Sequence, residues 1–150
     1  MKTTTILNEL TEINNDRADG FQKALADIKD ENIDLKGIFQ EYSTQSRKFS
    51  QELVALVAGL GGEAETGNSV AGTLHRAWID VKSLFGGDDR ESILNEAERG
   101  EDAAKAAYKL ALERGELSGE ALSTVSRQAE DIKAAHDAIK ALRDAARIIN

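Results

Sequence analysis

A chain of 150 residues is of single-domain length, and its complete lack of cysteine excludes disulfides, thiolate metal sites and thiol catalysis. A formal charge of −8, from 19 basic and 27 acidic residues, opposes approach to phosphate, so no nucleic-acid partner is expected. Apolar residues make up 41%, too many for an obligatorily disordered chain, yet no apolar run approaches the ~20 residues of a membrane span.

Met1 to Leu10 lack a basic start and a continuous apolar stretch, so no signal peptide is expected. One soluble, cytoplasmic domain over residues 1–150, away from membranes, is the expectation. Proline is absent and helix formers dominate, which permits long uninterrupted helices.

Taken in chain order, apolar residues recur at helical spacing. The first helix is expected over Thr5–Lys29, with Thr4 or Thr5 as its cap and a stripe of Ile6, Leu10, Ile13, Phe21, Ala24, Leu25 and Ile28. The second spans Asn32–Leu60 with a stripe of Leu35, Ile38, Phe39, Tyr42, Phe49, Leu53, Leu56, Val57 and Leu60, before Gly61-Gly62 ends it. A shorter helix, Ser69–Phe85, carries Val70, Leu74, Trp78 and Val81. The third long helix opens at Asp88 or Asp89 and ends near Gly115, with a heptad seam of Leu94, Ala97, Glu101, Ala104, Tyr108 and Ala111. The fourth follows a Ser118 cap and presents Leu122, Val125, Ile132, Ile139, Leu142, Ala146 and Ile149.

Amphipathic helices must bury their stripes against one another, which predicts an all-α four-helix bundle. The first and last connections are short, so each joins antiparallel neighbours. The long middle connection can run the length of the bundle and carry the short helix. That gives an up-down-down-up order with one crossover, the ferritin-like topology. A perpendicular end cap is the alternative placement for the short helix.

Polar residues interrupt every stripe near its centre: Asn14 and Arg17, then Gln45 and Ser46, then Glu101, and last Gln128 and His136. Di-metal carboxylate proteins keep their site in such a layer, built from two glutamates and two Glu-x-x-His pairs that neutralise the cations. Here the two histidines, His75 and His136, follow Gly72 and Lys133 at that spacing, so no Glu-x-x-His exists. Asp16 and Asp19 lie near the gap in the first helix but do not continue its seam. An intact di-iron centre is therefore not expected. The favoured reading is a structural polar layer of Arg17, Gln45, Glu101, Gln128 and His136, in which Arg17 can pair with Glu101 and fix register. The metal-binding alternative is a single divalent ion held by Glu101, His136 and water.

Other residues have plain explanations. Lys133, Lys140, Arg143 and Arg147 oppose the partial negative charge at a helix C-terminus. Glu96, Glu98, Glu101 and Asp102 with Arg99 read as a solvated acidic face. His75 and Trp78 share a helix face that covers the bundle or anchors a ligand. No strand precedes Gly59 and Gly61-Gly62 to make a phosphate loop, and no Gly-x-Ser-x-Gly is present.

The stretches Leu7 to Leu10, Asp16 to Phe21, Leu74 to Trp78 and Glu98 to Ala104 resemble a bacterial family of uncharacterised ferritin-like four-helix-bundle proteins, roughly from Ile6 to Arg143. The resemblance implies a ferritin-like bundle, a bacterial source and a stand-alone domain, and it implies no activity, cofactor or catalytic residue. The functional expectation is a non-enzymatic interaction or stress-associated module, with a homodimer or other protein partner meeting Ala134, Ala135, Ala138, Ala141 and Ala145. The alternatives are a metal-binding or redox protein with an altered centre near Glu101 and His136, and a carrier of apolar ligands near Trp78.

Overall fold

The structure is a computed structural model and describes residues 2–65, 67 and 90–149. Four α-helices are found there and no strand: α1 (Lys2–Asp27), α2 (Ile33–Gly59), α3 (Arg90–Glu113) and α4 (Gly119–Ile149). A single 3-10 turn, Asp30–Asn32, separates α1 from α2. The chain is therefore an all-α bundle. The short helix expected over Ser69–Phe85, with His75 and Trp78, lies outside the described residues, as do the Asp88 and Asp89 caps.

The buried faces follow heptad spacing. In α1 the core positions are Leu7, Leu10, Asn14, Arg17, Phe21 and Ala24, and Ile28 just past its end continues the spacing. The step from Ile13 to Phe21 is thus no gap; it is filled by polar side chains pointing inward. In α4 the buried set is Ala121, Val125, Gln128, Ile132, Ala135, His136, Ile139 and Ala146. Leu122, expected in this stripe, is 40% exposed, because it sits one residue, about 100° of helix rotation, past Ala121. Leu60 is likewise 56% exposed at the end of α2.

Helix ends follow local chemistry only in part. Thr4 and Thr5 lie inside α1, which begins at Lys2, so neither is its cap. Gly61 closes α2 at φ +78, with Gly61 N–H donating to the Ala58 carbonyl and Gly62 N–H to the Val57 carbonyl. That pair of bonds is a Schellman cap, and it requires a residue without a Cβ at the left-handed position. Gly115 turns the chain between α3 and α4 at φ +68.

Packing joins α1 to α2 and α3 to α4 along their lengths, while α1 faces α3 and α2 faces α4. Hydrogen bonds give the directions. Thr3 reaches the Glu116 carbonyl, Asn14 reaches Tyr108, and Arg17 reaches Glu101, so α1 and α3 run antiparallel. At the opposite end, Arg90 at the start of α3 bonds to Asn32 and Asp34 at the start of α2. No described helix is long and apolar enough to cross a membrane.

Candidate functional site

The waist of the bundle is built around Arg17. Its side chain and that of Glu101 are both 0% exposed, and they meet in a two-point bond: Nε to Oε1 at 2.6 Å and Nη2 to Oε2 at 2.8 Å. The planar guanidinium matches the two carboxylate oxygens, which makes this the strongest kind of ion-pair geometry. The cation also stacks against aromatic rings, its Cζ lying 5.3 Å from the Phe21 centroid and 5.6 Å from that of Tyr42.

From Arg17 the polar layer continues as a directed chain through all four helices. Arg17 Nη1 donates to Ser46 Oγ at 2.7 Å, and Ser46 donates to Asn14 Oδ1 at 2.9 Å. The Asn14 amide donates to the Tyr108 hydroxyl at 2.7 Å, which donates to Gln128 Oε1 at 2.7 Å. The Gln128 amide then donates to Glu52 Oε1 at 2.9 Å, where Arg127 binds the other oxygen at 2.9 Å. Every link after the first accepts from one neighbour and donates to the next. Such head-to-tail order, from a guanidinium to a carboxylate, lets each bond polarise the following one.

The electrostatics follow from burial. Removal from water pushes the Tyr108 hydroxyl far above its ordinary value, against the smaller opposing influence of the Asn14 hydrogen bond. Burial raises the Glu52 carboxyl too, but the bonds from Gln128 and Arg127 outdo it, and Glu52 sits below its ordinary value.

The five residues expected in the polar layer do not all meet. Arg17, Glu101 and Gln128 are buried members of the chain described above. Gln45 is only half-buried and its Oε1 has no hydrogen-bond partner, while Ser46, one residue on, turns inward to Arg17. His136 is buried at the seam between α3 and α4. Its Nε2 lies 2.6 Å from Asp102 Oδ1 and 3.8 Å from Glu98 Oε2, and its Nδ1 lies 3.0 Å from Asp137 Oδ1. Glu98, Asp102 and His136 gather their ligand-type atoms within 4.8 Å of one another, and Glu101 is not in that group. The Glu101 carboxylate faces α1, with both oxygens on Arg17, one helical turn from Glu98.

A di-iron centre does not fit this waist. Among the described residues of the hydrogen-bonded chain, Glu101 is the carboxylate at the centre, and both its oxygens are taken by Arg17. No imidazole joins it. Asp16 is buried beside the waist, and Asp19 pairs with Arg47 at 3.3 Å. Asn14 and Ser46, read from the sequence as interruptions of their stripes, complete the chain together with Tyr108 and Glu52, which were not expected in it. Asn14 and Tyr108 occupy core heptad positions, so their polar atoms were a readable signal. Glu98 and Asp102, taken as part of a solvated face, are the residues that meet His136.

This chain belongs to the family described as a domain of unknown function, DUF2383, which it matches over residues 2–114. No curated protein matches it.

Proposed function

We propose that this DUF2383 protein is a bacterial, cytoplasmic, single-domain ferritin-like bundle, working as a non-enzymatic interaction or stress-associated module rather than as a di-iron protein. The observation that carries the reading is the Arg17–Glu101 bond. In ferritin-type bundles the waist carboxylates neutralise metal cations. Here a guanidinium neutralises Glu101, and the hydrogen bonds of the remaining polar groups hold helix register. The helix directions support an up-down-down-up order, since α3 begins at the end where α2 also begins.

With the interior taken up by structure, function falls to the outer faces. Ala134, Ala138, Ala141 and Ala145 are exposed along one side of α4, whereas Ala135 is buried. Small side chains there allow a second helix to approach closely, and a second copy of the chain is the partner proposed. A metal centre on Glu101 and His136 is disfavoured, because Arg17 occupies the first and other carboxylates the second.

Sedimentation and elemental analysis of protein purified without chelator test this reading together. A dimer that Ala138→Arg converts to a monomer, with no stoichiometric iron pair, is expected. A monomer at every concentration, or two irons per chain, overturns it.

A further inference from the structure

Carboxylates surround the ring of His136. Each ring nitrogen of His136 faces a carboxylate oxygen at hydrogen-bond distance, Asp102 at 2.6 Å and Asp137 at 3.0 Å. A neutral imidazole carries one ring proton. Given to Nδ1, that proton binds Asp137 and leaves the Nε2 lone pair aimed at the oxygens of Asp102 and Glu98. A proton or a metal cation between Nε2 and Asp102 accounts for their 2.6 Å approach, and the second carboxylate, Glu98, on the same nitrogen gives a metal its third donor.

We propose that Glu98, Asp102 and His136 form a binding site for one divalent transition-metal ion of the zinc type, at the α3–α4 seam and separate from the waist. The donor set is one imidazole nitrogen and two carboxylate oxygens, with a water completing four-coordination. Imidazole favours Zn2+ and its neighbours over Mg2+ and Ca2+, which take oxygen shells of six or more. Glu98 and Asp102 stand four residues apart on one helix, so they share a face toward His136.

The distances suit such an ion. Ligands about 2.1 Å from a tetrahedral centre lie about 3.4 Å apart. The observed Nε2 separations, 2.6 Å to Asp102 and 3.8 Å to Glu98, fall on either side of that. Closing the difference is easy for Asp102, whose side chain is 59% exposed and free to retreat.

The supporting groups are in place as well. Asp137 on Nδ1 fixes the tautomer that presents Nε2, the usual outer partner of a metal-binding histidine. Arg143 bonds Glu98 through Oε1 and leaves Oε2 toward His136. Arg143 also bonds Asp144, and Lys133 bonds Asp137. Arg147 joins this connected set through Asp144 and brings Glu91 with it, so five carboxylates stand against three fixed cations, an imbalance that a dication cancels.

Titration of the full chain with Co2+, followed by displacement with Zn2+, tests the site. One Co2+ per chain is expected, with a visible absorption band of a mixed nitrogen–oxygen site that Zn2+ removes. His136→Gln and the surface change Asp102→Asn should both abolish the band, with helix content by circular dichroism unchanged. Asp137→Asn should weaken binding about 10-fold or more while keeping the band. Glu12→Gln on α1, where Glu12 lies among the negative charges of Glu9, Asp16 and Glu65, should change nothing. Failure of the unaltered chain to bind Co2+ with a Kd of about 1 mM or tighter overturns the proposal. Binding that survives Asp102→Asn and His136→Gln, or that Glu12→Gln removes, overturns it equally.

Discussion

Arg17 of α1 and Glu101 of α3, both with fully buried side chains, neutralise each other through two parallel hydrogen bonds at 2.6 and 2.8 Å. Both charges have left water completely, so the pair's net contribution to stability is small while the penalty for splitting it is large.

Two single changes and their combination separate those effects. Glu101→Leu leaves a buried guanidinium without its counter-ion and is expected to cost about 3–5 kcal/mol. Arg17→Met strands the carboxylate and should cost a similar amount. The double variant Arg17→Met/Glu101→Leu is expected to regain most of the loss. Denaturant unfolding of all four proteins checks this. Additive losses in the double variant would show that the two side chains are not coupled.

Tyr108 makes the bundle sensitive to alkali. Its neutral hydroxyl is favoured in the folded chain, chiefly by burial, so its folded pKa lies above the ordinary 10.0. Tyr42 is raised as well, by burial and then by the Glu101 charge. The contribution of both is intact below pH 10 and falls as pH climbs past it, because the unfolded chain then releases protons the folded one retains. Phenolate absorbance should therefore appear together with loss of helix content. Full ionisation of both tyrosines with the helices intact would contradict this. Tyr108→Phe is expected to cost about 1–3 kcal/mol at neutral pH, since Gln128 Oε1 loses its donor.

At the other end of the bundle, Arg90 binds Asp34 through two bonds of 2.9 and 2.7 Å. Those bonds hold the Asp34 carboxyl below its ordinary 3.8 and raise Arg90. A depressed carboxyl contributes stability above its unfolded pKa and loses it as pH falls through the folded one. The Asp34 side chain is half exposed, so solvent screens the pair, and Asp34→Asn should cost about 0.2–1 kcal/mol at neutral pH. The gap between the two proteins should close in strong acid and shrink in high salt. A gap that is constant with pH would rule out the ion pair as its source.

How the waist was legible differs from residue to residue. Glu101 and Gln128 stand at heptad positions among apolar neighbours, and position alone marks them as inward-facing. Gln45 and Ser46 could not be told apart that way. Both fall in the same step of the α2 stripe, and the 100° between them decides which one Arg17 meets. His136 was equally ambiguous. It lies on the inner side of α4, but its partners depend on how far α4 has slid along α3, and that offset brings Glu98 and Asp102 to it in place of Glu101.

Local rules therefore account for the helical class, for the stop at Gly61 and for the turn at Gly115, because propensity, missing proline and left-handed glycine act over a few neighbouring residues. Who bonds to whom across the bundle is a property of register and rotation between helices. Those are set by the packing of whole faces, and a one-residue rotation or one-turn slide exchanges every partner in the polar chain while leaving each helix's own pattern of apolar residues the same.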